Sequence, residues 1–243
     1  GAVWSSCSPD FGTQGVLNRF AQIQPKVLFA ANGYRYGDKD FSGHDKLREI
    51  TADLHGLQTV ILINYLPTET RELELPVPVL PWEEALSTDD THELSFTQLP
   101  FNHPLYILYS SGTTGIPKCI VHGAGGTLLQ HAKELILHAD LKPCDNLLYF
   151  TTCGWMMWNW LVSGLFTGAA ITLYDGSPVH PHIDSLWNAV ADKKVTHFGT
   201  SPKYIGSCRG AVTPKEKYDL SSLQVVFSTG APLLDEDFDW IYS

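Results

Sequence analysis

Apolar and polar positions follow two rhythms along the chain, and the rhythms alternate. Residues 2–6, 27–31 and 60–64 are short apolar runs bounded by turn-forming residues, and they read as buried strands. Between them, Val16, Leu17, Phe20 and Ile23 recur near the 3.6-residue period. That spacing predicts a helix over 11–24, with Ser8 or Asp10 as its cap. A second helix is expected up to residue 54, capped by Ser42. Strand, helix, strand, helix, strand implies a parallel sheet with covering helices.

Residues 66–104 break the rhythm. They hold Pro67, Pro76, Pro78, Pro81, Pro100 and Pro104 and the acidic residues Asp89, Asp90 and Glu93, and they read as an extended crossing segment. The alternation then resumes. Strands are predicted over 105–109, 118–122, 147–151, 170–174, 195–199 and 223–228, and helices over 126–138, 155–166 and 183–191. In the first of these helices Leu128, Leu129, Ala132, Leu135 and Ile136 form the apolar face. The expected class is α/β, as two parallel-sheet subdomains with helices on both faces. Residues 1–65 form a first α/β portion, 66–104 the Pro-rich crossing, and 105–243 a second α/β portion. The chain starts inside a strand-like run without Met and stops after an acidic helix-like run, so it reads as a segment of something longer.

Composition narrows the function classes. The 243 residues are 44% hydrophobic and 17% charged, which suits a large buried core and argues against disorder. Lys and Arg number 16 against 26 Asp and Glu, a net charge of -10, so broad nucleic-acid binding is not expected. Small polyanions stay possible, because a local glycine loop can hold phosphate inside an acidic protein. Five cysteines without a CxxC pair argue against a disulfide framework and for a reducing, cytosolic compartment. No apolar run reaches the ~18 residues of a membrane span. His180 and His182 form a close pair, read as part of a solvated loop rather than as metal ligands, and no metal site is assigned.

The strongest motif is Tyr109-Ser110-Ser111-Gly112-Thr113-Thr114-Gly115-Ile116-Pro117-Lys118. A strand runs into six small residues. Gly112 and Gly115 reach backbone angles closed to other residues, and the small neighbours leave main-chain N–H groups accessible to a phosphate. Four hydroxyls (Ser110, Ser111, Thr113, Thr114) add donors, and Lys118 adds a mobile positive charge. The spacing excludes a Walker A loop: the glycines stand three apart, Lys118 follows three later, and a strand comes next. The competing structural reading is a plain Ser/Thr/Gly hairpin turn.

Ser-Ser-Gly-Thr-Thr-Gly-x-Pro-Lys after a strand resembles the signature of the adenylate-forming enzymes, a superfamily that includes the acyl-CoA synthetases. The run Val121-His122-Gly123-Ala124-Gly125-Gly126, the pair Gly154-Trp155, and Ser221-Ser222-Leu223 leading to Gly230-Ala231-Pro232 are similar to its acetate-activating branch. Ala231 stands where that branch usually has Glu. The runs 4–12 and 154–160 look most like acetoacetate-activating members.

The resemblance implies a two-step reaction: a carboxylate attacks the α-phosphate of ATP, pyrophosphate leaves, and CoA then displaces AMP. It implies ATP, Mg²⁺ and CoA as partners, with acetoacetate as the acid. Residues 110–118 would hold the ATP phosphates, with Ser110, Ser111, Gly112, Thr113, Thr114, Gly115 and Lys118 as contacts. Gly230, Ala231 and Pro232 would pack on adenine, and Trp155 and Met157 would line the acyl pocket, with Asn159 as a candidate donor to the keto oxygen. Arg35 and Lys39 would meet the CoA phosphate, although a second Arg of the family falls near Asp38. The plainer readings are an aromatic core helix over 155–160 and a surface ion pair for Arg35. The family's Mg²⁺ motif, its ribose Asp and its adenylation Lys do not occur between Pro232 and Ser243, so this chain alone is expected to be inactive. Two other readings stand beside it: a ligase for another short acid such as acetate or propionate, and a non-catalytic nucleotide-binding or interaction product. The oligomeric state is not legible.

Overall fold

The computed structural model describes residues 1–67, 69, 72–86, 93, 95–110 and 115–243. The chain divides into two compact units, Gly1–Ala124 and Gly125–Ser243.

The first unit opens with helix α1 (Thr13–Ile23), which turns Val16 and Phe20 inward. Strand β1 (Val27–Ala31), an antiparallel hairpin of β2 (Gly33–Tyr36) and β3 (Lys39–Ser42), helix α2 (His44–Asp53) and strand β4 (Thr59–Ile63) follow. Beyond them lie β5 (Val79–Pro81), the short α3 (Trp82–Ala85), and the antiparallel pair β6 (Pro104–Tyr109) and β7 (Cys119–Gly123). Strands β1, β4 and β5 form one parallel sheet with β4 in the middle. Val16 and Phe20 of α1 pack with Ile50, Leu54, Leu57 and the fully buried Val60. Asn32 locks the exit of β1: its side chain donates to Leu66 O (2.9 Å) and accepts from Leu66 N–H (2.8 Å).

Three expectations are corrected here. Residues 2–6 form one bridge, Trp4 to Tyr106, rather than a buried strand. Trp4 N–H donates to Leu105 O and Trp4 O accepts from Ile107 N–H, but Val3 and Trp4 remain nearly half exposed. Neither Ser8 nor Asp10 caps α1: Gly12 takes the cap position, and Ser8 O instead accepts from Phe11 N–H in a turn. The proline-rich stretch contains a strand, β5, whose three residues are too few to show a period.

The second unit contains α4 (Ala124–Ala132), which widens into a π-helical stretch at Lys133–His138, then β8 (Asn146–Tyr149) and α5 (Met156–Ser163). A 3-10 turn (Gly164–Thr167), β9 (Ala170–Thr172), α6 (Ser185–Asp192), β10 (His197–Thr200), α7 (Pro202–Arg209), α8 (Pro214–Lys217), β11 (Val225–Ser228) and α9 (Asp235–Tyr242) complete it. The sheet order is β11-β10-β8-β9, all parallel. Successive side chains point to opposite faces. Leu147 and Tyr149 accordingly join Leu135, Trp160 and Leu161 on one side, while Leu148 and Phe198 join Leu186, Trp187, Val190, Tyr204 and Cys208 on the other. Helices thus cover both faces of this sheet, and the α/β class is the observed one. Asp184 braces the second layer. Its carboxylate accepts from Lys217 and Tyr218, and the Lys217 ammonium holds it below the usual Asp range.

Of the apolar face read for residues 126–138, Leu135 is buried, whereas Leu128, Leu129 and Ile136 are exposed. Thr127, His131 and Leu135 turn inward, whereas Leu129 is 63% exposed. The π-helical widening shifts the angular phase of the last turns, and His131 Nδ1 meets Ser163 Oγ at 2.8 Å, so polar groups occupy the helix–helix contact.

Strand β10 is buried along its whole length, and at its centre Gly199 stands opposite Tyr149 of β8. A Cβ on Gly199 would lie 2.0 Å from Tyr149 Cδ2 and 2.3 Å from Cε2. The aromatic ring therefore fills the space a side chain would take. We expect Gly199→Ala to lower stability by roughly 1–3 kcal/mol in urea unfolding, through overpacking. Unchanged stability would show that the ring does not rest there.

Candidate functional site

Strands β6 and β7 are joined by the hydroxyl-rich segment, and the structure pins its two ends. Ser110 N–H donates to Lys118 O (3.0 Å), and Lys118 N–H donates to Ser110 Oγ (3.1 Å). One hydroxyl of the motif is therefore spent on closing the loop. Gly115 is exposed with φ +146°, an angle that favours glycine, and Lys118 is exposed as well. Ser111, Gly112, Thr113 and Thr114 lie outside the described residues.

Arg35 and Lys39 sit on the β2–β3 hairpin. Arg35 is committed to Asp40, the residue opposite it in the register: Nε donates to Oδ1 at 2.6 Å and Nη2 to Oδ2 at 2.9 Å. This two-pronged pair raises the guanidinium pKa further. An incoming phosphate has to compete with the Asp40 carboxylate for Arg35, so the ion pair of the plainer reading is present. Lys39 is exposed opposite Tyr36.

In the second unit, parallel strands direct all their carboxyl ends to one edge, where ligands of open α/β sheets bind. Strand β8 ends at Tyr149 and leads to Trp155, which precedes α5; β10 ends at Thr200; β11 ends at Ser228 and leads to Gly230-Ala231-Pro232. Thr229 N–H donates to Thr200 O (3.4 Å) and Phe150 N–H to Gly199 O (2.8 Å), which ties these exits together. Gly230 has φ +99°, and Gly230, Ala231 and Pro232 are exposed. Trp155 is exposed too, whereas Met157 packs against the cluster of Tyr149 and Trp160. The predicted adenine and acyl segments therefore share one sheet edge. Asn159 lies on the α5 face that carries Ser163, one turn on, and Ser163 bonds His131 of α4 and Asn159 O.

Polar atoms without a partner concentrate at this edge. Tyr149 Oη, Thr200 Oγ1 and Ser228 Oγ are buried and make no hydrogen bond among the described residues, and Asn159 Nδ2 is a fourth such atom. Thr200 and Ser228 are register partners on the sheet face away from Tyr149. None of the three strand-end residues stands out in the sequence, since a tyrosine or threonine ending an apolar run is ordinary. Their one visible signal is that Tyr149 lies inside one predicted strand and a glycine ends another. Elsewhere, a concavity of about 390 Å³ lies beside Asn32, Asn64 and the buried His44, which stands 3.8 Å from Glu69. Among the described residues no group of three or more His, Cys, Asp or Glu gathers as for a metal, and no helix is long and apolar enough to cross a membrane.

A family model described as AMP-binding enzyme matches residues 1–243. The chain is 49% identical over 243 residues to the acetoacetyl-coenzyme A synthetase of Rhizobium meliloti (strain 1021) and 45% identical over 248 residues to that of Gallus gallus. It is 40% identical over 265 residues to the malonamoyl-CoA synthetase vrtB of Penicillium aethiopicum. In each case all of this chain is covered. It spans 37% of the first two relatives and 36% of the third. The solved acetoacetyl-CoA synthetase from Streptomyces lividans matches with a TM-score of 0.92 and 48% identity, over 99% of this chain and 36% of that one.

Burial pushes the Tyr149 phenol up to about 12. The folded chain favours its protonated form, so this contribution to stability is complete below pH ~10 and fades as pH rises toward 12. In alkaline unfolding the wild type should lose stability relative to Tyr149→Phe across that window. Parallel curves would show that the phenol is not shielded.

Proposed function

This chain belongs to the AMP-binding enzyme family, and from that premise we propose that the protein carrying it joins a short β-carbonyl acid, acetoacetate above all, to CoA at the expense of ATP. The observation that carries the proposal is the unbroken likeness of the whole chain to acetoacetyl-CoA synthetases at 43–49% identity. The malonamoyl relative supports the same class, because a malonamoyl group also carries a second carbonyl at the β position. Acetate and propionate have no such oxygen.

In the first step an acid oxygen attacks the α-phosphorus and pyrophosphate leaves. In the second, the CoA sulfur attacks the acyl carbonyl and AMP leaves. Both steps bring anions together, so the protein contributes mainly by positioning and by offsetting charge. In this reading Ser110, Ser111, Gly112, Thr113, Thr114 and Gly115 offer donors to the β- and γ-phosphates, and the Lys118 ammonium faces the charge of the leaving pyrophosphate. Gly230, Ala231 and Pro232 form the surface for adenine, and Trp155 and Met157 flank the acid. Arg35 and Lys39 take the CoA phosphate once Asp40 yields. Mg²⁺ would accompany the nucleotide and neutralise its phosphates; no step is assigned to it on these residues. Five free thiols suit a reducing setting, and the cytosol is the proposed site.

ATP–pyrophosphate exchange by the complete protein with acetoacetate, malonamate, acetate and propionate tests the reading. Acetoacetate should support the fastest exchange, and faster exchange with acetate would sink the choice of acid. Lys118→Ala should weaken ATP binding about tenfold or more, as expected for a lost charge-assisted contact. Equal binding by both proteins would remove Lys118 from the nucleotide site.

A further inference from the structure

The Tyr149 hydroxyl is one of three buried hydroxyls at the strand ends that have no partner among the described residues. Its residue is 5% exposed, at the carboxyl end of β8. Because the ring atoms Cδ2 and Cε2 occupy the space above Gly199, the side chain runs across β10 toward β11. Its ring lies among aromatic and apolar side chains, and the indole N–H of Trp160 is already used by Glu134 (3.0 Å). Trp160 meets the ring edge-on at 6.0 Å, Phe227 meets Trp160 at 5.6 Å, and Met157 packs on the same cluster. Among the described residues nothing accepts from or donates to Oη. A buried tyrosine hydroxyl ordinarily finds a partner, and leaving it bare is unfavourable.

The chemistry of the missing partner follows from the wall around it. An apolar setting admits a small neutral group, and a phenol that keeps its proton donates a hydrogen bond. A ketone oxygen accepts without carrying a proton, and a methyl beside it suits Met157 and Phe227. Asn159 does not compete for this role, since it stands on the α5 face of Ser163 and His131, away from the face of Met157 and Trp160. We propose that Tyr149 is a specificity-determining residue whose hydroxyl donates to the β-carbonyl oxygen of the acid, selecting β-carbonyl acids over plain acids of equal length. The proposal rests on the ligase reading above and deepens it.

Butyrate has the four carbons of acetoacetate without the keto oxygen, so the pair isolates this contact. In the complete protein, kcat/KM for acetoacetate should exceed that for butyrate by about 100-fold or more, because a site built to bond an oxygen rejects an analogue lacking it. Tyr149→Phe, which keeps the ring and its packing, should reduce kcat/KM for acetoacetate about 10- to 100-fold and leave butyrate within about twofold. Equal losses on both acids would assign Tyr149 a structural role and overturn the proposal. So would an unchanged ratio in the variant, or a wild type that does not separate the two acids. Wild-type protein that activates acetate in preference to either acid would instead sink the choice of a β-carbonyl acid, and the hydroxyl assignment with it.

Discussion

One close approach organises the second unit. Strand β10 passes β8 with Gly199 beneath the ring of Tyr149, and no residue with a side chain fits there without displacing the ring. The parallel register follows from that fit: His197, Phe198 and Gly199 face Leu147, Leu148 and Tyr149, and β11 continues the same register on the far side. Because all four strands run one way, their exits converge on one edge. The turn before α5 and the segment 229–232 leave from it. Packing inside the sheet thus determines which loops become neighbours at its rim, where ligands of open α/β sheets bind.

The first unit handles polar groups differently. Asn32 is buried, yet both ends of its amide are satisfied by Leu66, so it holds the chain beyond β1 and β4 in place. Ser110 and Lys118 likewise use their own backbone and one hydroxyl to close the loop between β6 and β7. Arg35 is satisfied by Asp40 on the neighbouring strand. A net charge of -10 does not exclude the proposed nucleotide binding, because a local loop can offer main-chain donors to phosphate inside an acidic protein.

The relatives place the chain in a family, while the proposed Tyr149 contact would give a physical reason for one acid over another. Acetoacetyl and malonamoyl groups share an acceptor that acetyl and propionyl groups lack. A donor placed to bond that acceptor discriminates more sharply than a purely hydrophobic pocket discriminates on chain length.

The amino-acid order by itself determined the α/β class, most of the strands, and the loop from 110 to 118, because each of these is a local pattern. Strands at 27–31 and 60–64 are runs of β-branched and apolar residues, and the loop is a contiguous string. Through resemblance it named Trp155 and Gly230–Pro232 as candidate site residues. Contacts between distant residues were beyond it. The pairing of Arg35 with Asp40 depends on a hairpin hidden among polar residues, and His131 rather than Leu129 is buried where α4 meets Ser163 of α5, a contact that no apolar period reveals. The meeting of Tyr149 with Gly199 joins positions fifty residues apart. Only tertiary packing brings such pairs together, because a side chain's burial and its lack of a partner are properties of everything around it rather than of its neighbours along the chain.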